Sequence, residues 1–214
     1  MVGELMDEAV SRIEHGGYDT LIVAAPDMQG RLFGRRLPAR RARAIFEEGL
    51  DICTAALAWD VEQTPGTDVS FAGFHTGWHD FVLIPDIRTL RPYPGTDRTA
   101  ICIADIADHD GKLLSVAPRT VLRQQIEEAR QLGLDLQMAS ELEFYLFEGS
   151  ASDARKRSFQ GMTPTTLTRS DYSVVGQAIQ EPFMKAVRDR MDVAGIPIYA
   201  YQAEYGYGQW EMNI

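Results

Sequence analysis

Apolar positions Leu5, Ala9 and Ile13 return at helical spacing among acidic residues and predict a short amphipathic helix at the start of the chain. The run "DTLIVAAPD" reads as a strand, Gln29-Gly30 as a turn and "RLFGRRLP" as a second strand, which together make a hairpin. An amphipathic helix is predicted from Ala39 to Gly49. Two further apolar runs, "ICTAALAW" and "DFVLIPD", flank the stretch from Asp60 to His79, which is rich in Gly, Thr and aromatics and too long for a plain connection. The strand "TAICIAD" and the turn "DHDG" complete a mixed sheet crossed by one helix, a pattern compatible with a β-grasp arrangement over residues 1–112.

A second unit, residues 113–214, opens with Pro118 at the first helical position of "PRTVLRQQIEEARQLG", a helix stopped by Gly133. The pattern then predicts one long strand over "LDLQMASELEFYLFEG" and a mobile surface excursion from Gly149 to Gly176, where polar residues follow no period. In "QAIQEPFMKAVRDRMDVAG" a helix is predicted with Ile179, Phe183, Val187 and Met191 on one face and Gly195 as its stop. Alternating residues in "QWEMNI" predict a closing strand. The order is that of an α+β protein without internal repeats.

Composition narrows the function classes. With 45% hydrophobic residues in 214, the chain can bury a sizeable core. A net charge of -10 disfavours nucleic acid as a partner and suits an enzyme that holds cations. Six arginines between Arg31 and Arg43 form the one acid-free basic window, read as solvated surface. Two cysteines, Cys53 and Cys102, lie in apolar runs, and the acidic start is unlike a signal peptide; a cytoplasmic protein without a membrane partner is expected.

The chemistry concentrates in carboxylates. Glu141 and Glu143 share a strand face because alternate residues do, and Gln209, Glu211 and Asn213 share another, with Glu204 seven positions ahead of Glu211 across Gly206 and Gly208. Carboxylates brought together need a cation, a proton or basic partners, and no basic residue lies between Arg130 and Arg155. Hard oxygen donors select Mg²⁺ or Mn²⁺ over Zn²⁺. Against this stands the ordinary reading of such glutamates as a solvated strand face. Gly111-Lys112 lacks the rest of a phosphate loop, "DHDG" lacks the rest of a calcium loop, and His75 and His79 read as loop residues with a substrate role as the alternative. No serine or cysteine sits in a nucleophile setting.

The segments "DFVLIPD" and "CIADIADHDGKLLSVAPRTVLRQQIEEARQLGLDLQMASELEFYLF", with "AEYGYGQWEMNI", resemble the glutamine synthetase family over nearly the whole chain. The resemblance implies an N-terminal β-grasp domain, then the first part of a catalytic α+β domain, in a homo-oligomeric ring whose active sites lie between subunits. It further implies that Glu143, Glu204 and Glu211 hold one Mg²⁺ or Mn²⁺, that Glu141 contributes to a second, and that Asp60 helps bind and deprotonate the amine. The implied reaction is ATP-dependent joining of glutamate to ammonia or another amine through a γ-glutamyl phosphate.

Departures bear on the amine: "WDVEQTPG" replaces the family's Asp-Gly-Ser-Ser, Gln202 and Ala203 precede Glu204 where the family commonly has His, Tyr199 lies upstream, and Tyr207 stands where Pro is usual. They point to a divergent amine or polyamine ligase. On the resemblance, the chain corresponds to an N-terminal portion and is expected to be inactive alone. The alternatives are a truncated, non-catalytic paralogue that assembles with a complete synthetase, and a two-metal hydrolase on the same carboxylates.

Overall fold

The computed structural model describes residues 2–66 and 69–214. Two compact units divide at Leu136 and Gln137. The first begins with α1 (Val2–His15), followed by β1 (Thr20–Pro26) and β2 (Leu32–Pro38). A single 3-10 turn leads into α2 (Ala42–Glu48); β3 (Leu50–Cys53), β4 (Asp80–Pro85), β5 (Arg91–Pro92), β6 (Thr99–Ala107) and α3 (Pro118–Gln131) complete the unit.

Its sheet runs β2-β1-β6-β4-β3, with β5 paired to β6 off that path. β1 and β6 are parallel and every other pair is antiparallel. The two parallel strands lie at the centre because they are apolar on both faces, as strands covered on both sides must be. Leu21, Val23, Ala100, Cys102 and Ile106 pack on one face with Ala9 and Ile13 of α1 and Ile45 and Phe46 of α2. Ile22, Ala24 and Ile101 form a smaller cluster of their own. The predicted hairpin is present, with Ile22 opposite Arg36 and a turn in which the Gly30 amide donates to the Asp27 carbonyl. The run "ICTAALAW" is only partly strand: it ends at Cys53, and Thr54–Leu57 forms a 3-10 turn.

An ion cluster ties α3 to this sheet. Arg119 reaches Asp86 at 2.9 Å and Asp105 at 3.0 Å, Arg123 reaches Asp105 at 2.6 Å, and Arg88 reaches Asp86 at 2.8 Å. The Arg88 hydrogen bonds, with the neighbouring Arg119, hold the Asp86 carboxyl below its usual range despite burial. The packing division thus falls after α3, whereas the sequence pattern divides the chain between residues 112 and 113.

The second unit contains β7 (Glu141–Tyr145), α4 (Ala151–Lys156), α5 (Val174–Gln177), α6 (Glu181–Val193), β8 (Ala200–Ala203) and β9 (Gln209–Asn213). Its antiparallel sheet has the order β7-β9-β8. Met184 of α6 packs with Ala203, Trp210 and Met212, and Phe144, Leu146, Val187 and Met191 close around them.

Three expectations are corrected here. The long strand begins only at Glu141, and Leu142, on the face opposite Glu141 and Glu143, is 49% exposed. The excursion is folded: Ser150 caps α4 by accepting from the Asp153 amide, Glu148 and Thr165 donate to the Thr163 and Leu146 carbonyls, and the Gly208 amide donates to the buried Thr166 hydroxyl. The helix face is centred on Met184, with Val187 and Met191, while Ile179 and Phe183 are exposed. A spacing of four overshoots a 3.6-residue turn by about 40° each step, so four such positions sweep off a single face.

Trp210→Ala is expected to destabilise the second unit by about 3–5 kcal/mol, the range for removing a fully buried aromatic. Leu142→Ala should cost under about 1 kcal/mol, as at an exposed site. Urea titration of both variants measures the difference.

Candidate metal centre

Residues paired across antiparallel strands share a face of the sheet. Glu141 is paired with Asn213, Glu143 with Glu211, and Gln202 with Glu211, so Glu141, Glu143 and Glu211 stand on one face while Trp210 and Met212 enter the core on the other. Glu204 follows β8 directly, and its amide donates to the Gln209 carbonyl, holding it at the mouth of the β8–β9 turn. Glycine is required at Gly208 in that turn, where a Cβ would lie 2.6 Å from the Leu146 carbonyl oxygen at a φ of +72°; a Cβ on Gly206 would lie 2.5 Å from Gln209 Oε1 and displace that side chain.

Like charges directly opposite in a sheet repel. Glu143 and Glu211 are such a pair, and among the described residues none of the four carboxylates forms an ion pair with Lys, Arg or His. Neutral amides hold them instead. Gln209 Nε2 donates to Glu143 Oε2 at 2.6 Å while its Oε1 accepts from the Gly206 amide at 2.8 Å. Gln202 Nε2 donates to Glu211 at 3.1 Å and Glu204 at 3.3 Å; Asn213 Nδ2 donates to Glu211 at 2.8 Å and Glu141 at 3.4 Å. These amides orient one oxygen of each carboxylate and leave Oε1 of Glu143 and Oε2 of Glu141, Glu204 and Glu211 without a donor among the described residues.

The result is an oxygen-rich, uncompensated face, a donor set that fits Mg²⁺ or Mn²⁺. Among the described residues, no three His, Cys, Asp or Glu side chains close into a metal-holding group. The carboxylates share a surface without encircling a point. The amide lattice was not foreseen from the sequence as a set of donors, although strand alternation places Gln209 and Asn213 on the Glu211 face.

Asp60 lies in the first unit. Its Oδ1 accepts the amides of Glu62 at 2.8 Å and Thr64 at 3.0 Å, closing a turn that leaves Oδ2 without a donor among the described residues. Arg31 secures this turn from the β1–β2 hairpin: its guanidinium donates to the Asp60 carbonyl at 2.9 Å and the Val61 carbonyl at 2.6 Å while Nε bonds Asp27 Oδ2 at 2.9 Å. Asp27, 2% exposed, also accepts from the amides of Gln29 and Arg31 and from Trp59 Nε1. Burial pushes the Asp27 carboxyl up, and these donors outweigh it, so it titrates below the usual range. The sequence hid the clamp because its partners lie about thirty positions apart. His75 and His79 bond the Ser70 and Thr76 carbonyls of their own loop.

Residues 115–214 match the family described as glutamine synthetase, catalytic domain. Over 208 residues the chain is 34% identical to the gamma-glutamylethanolamide synthetase GlnA4 of Streptomyces coelicolor, covering 97% of this chain and 45% of that protein. This chain belongs to the glutamine synthetase family. A glutamate–isopropylamine ligase from a Pseudomonas species is 32% identical over 94% of this family member and 44% of its own length. Among solved structures, a GmaS/ADP complex superposes with a TM-score of 0.75 at 21% identity over 96% of this chain and 43% of that one. The glutamine synthetase of Plasmodium falciparum does so with a TM-score of 0.67 at 14% identity, over 97% of this chain and 43% of that one. These likenesses show a shared mixed α+β fold. The chain spans about 45% of the first of these curated relatives.

Removing the clamp should loosen the Asp60 turn. Arg31→Met is expected to speed amide hydrogen exchange over residues 60–64 by about tenfold, the loss of a bond or two from a charged donor. In the unaltered chain the clamp is intact above the ordinary carboxylate range and weakens as pH falls through the depressed Asp27 value. Exchange followed by mass spectrometry at neutral and acid pH measures both; equal exchange in the variant and parent would contradict the clamp.

Proposed function

We propose that these residues form part of an ATP-dependent glutamate–amine ligase. The observation that carries the proposal is the uncompensated carboxylate face of Glu141, Glu143, Glu204 and Glu211, in a chain 34% and 32% identical to proteins named as a gamma-glutamylethanolamide synthetase and a glutamate–isopropylamine ligase. On this reading Glu143, Glu204 and Glu211 hold one Mg²⁺ or Mn²⁺ and Glu141 serves a second. The cations, when bound, supply positive charge to the transferring phosphoryl group.

This chain's own residues do the rest of what falls to it. Gln202, Gln209 and Asn213 fix the carboxylates by hydrogen bonding so that little reorganisation is needed on loading. Asp60 presents its Oδ2 to the ammonium form of the acceptor and takes a proton from it, which exposes the nitrogen lone pair for attack on the γ-carbonyl of γ-glutamyl phosphate. Phosphate leaves and a γ-glutamyl amide forms. The first sheet is read as a β-grasp domain over residues 1–112, with the catalytic domain from residue 113 onward, in a cytoplasmic homo-oligomeric ring that completes each site with Asp60 of a neighbour. The replacement of Asp-Gly-Ser-Ser by "WDVEQTPG" supports an acceptor other than ammonia.

The test is ADP release by the protein at its full natural length, freed of host synthetase. Release should require glutamate and a primary amine together, and Asp60→Asn should lower kcat/KM for the amine by about a hundredfold, the scale of a lost general base. Release independent of either substrate would overturn the reading.

A further inference from the structure

The long loop that carries Asp60 also builds a cavity. Pro65, Gly66, Gly73, Phe74, His75 and Trp78 frame a space of about 650 Å³. We propose that this cavity receives the hydrocarbon part of the amine acceptor, so that the substrate is a primary amine with an apolar substituent. The proposal rests on the ligase reading and deepens it.

Continuity with Asp60 is built into the backbone. The Asp60 amide donates to the Thr64 carbonyl, Trp59 pairs with Pro65 as an antiparallel bridge, and the Gly66 amide donates to the Ala58 carbonyl at 2.8 Å. One wall of the cavity is therefore the return strand of the Asp60 turn. The other wall is a tight turn over residues 73–78. There Thr76 bonds Gly73 in both directions, the Trp78 amide donates to the Gly73 carbonyl, and the Cys53 thiol lies 3.7 Å from the Trp78 carbonyl. Trp78 adopts a φ of 49°, the left-handed region that a bulky residue seldom enters. That conformation stacks Trp78 edge-to-face on Phe74, with ring centroids 5.8 Å apart, and leaves Phe74 92% exposed. A strained turn that holds a phenylalanine in solvent contributes nothing to the folding core and suits an apolar ligand.

The charge of the walls selects the ligand class. Among the described residues no Lys or Arg lines the cavity, so none offers a cationic partner to anionic glutamate or nucleotide there. Aromatic walls suit a hydrocarbon substituent, while the ammonium end of a primary amine is left to Asp60. His75 is committed to the Ser70 carbonyl at 3.2 Å. The space matches sites for small organic molecules and far exceeds what ammonia needs.

Saturation-transfer NMR on the purified chain with ammonium, isopropylamine and benzylamine tests the assignment. Benzylamine should bind more tightly than isopropylamine, with ammonium failing to compete. Phe74→Ala should weaken benzylamine by about fivefold, whereas Phe159→Ala, which removes an exposed phenylalanine of the second unit, should leave it unchanged. Circular dichroism on each variant reports folding. Equal binding by Phe74→Ala and the parent overturns the proposal, as does ammonium competing on equal terms. If Phe74→Ala instead lowers the mass seen by light scattering without altering amine binding, the occupant is a second copy of this chain and the proposal falls. Amide formation by the full-length protein is read separately. Phe74-dependent binding without turnover in the parent retains the cavity and removes the ligase reading, while turnover with unchanged amine preference in Phe74→Ala does the reverse.

Discussion

Glu143 and Glu211 face each other across two antiparallel strands, and among the described residues nothing basic neutralises them. That repulsion is the constraint on which the second unit turns. The chain answers it by placing an amide beside each carboxylate and by fixing the sheet from behind with Trp210, Met212 and Met184. Amides supply hydrogen bonds without supplying charge. A lysine in any of their places would stabilise the empty sheet and compete with a divalent cation, so neutral donors keep the face oriented and still in need of charge.

The first unit solves a different problem with the opposite means. Asp86 and Asp105 are buried beside Arg88, Arg119 and Arg123, and Asp27 is buried beside Arg31; each of these three carboxylates has a guanidinium. Paired in this way, charges position loops and helices instead of attracting ligands. The contrast between these buried, paired acids and the unpaired carboxylate face of β7, β8 and β9 separates architecture from chemistry within a single chain. Asp60 belongs to neither class: one of its oxygens holds a turn and the other has no donor among the described residues.

Much of this was legible in the sequence, where local rules decide. Parity within a strand placed Glu141 with Glu143, and a turn signal between two apolar runs located the first hairpin. Pro118 and Gly133 marked the ends of α3 because proline and glycine act through backbone geometry alone. The rest depended on distance. Whether α6 turns Met184 or Phe183 inward is decided by the sheet it meets, and the polar segment after Gly149 is folded by contacts to Leu146 and Gly208 that no local period announces. The Arg31 clamp spans a gap from one hairpin to another loop, and its arginine looked like one more member of a solvated basic run.

The central claim is that the carboxylate face takes a divalent cation. Mn²⁺ titration followed by water-proton relaxation tests it most directly, using Glu143→Gln and Glu211→Gln, which keep shape and remove charge, against Glu148→Gln beyond the end of β7. The account predicts at least one Mn²⁺ bound by the parent chain, affinity weakened by about tenfold or more in the first two variants for the loss of one charged oxygen ligand, and little change in the third. Equal Mn²⁺ affinity in Glu143→Gln and Glu148→Gln would contradict it.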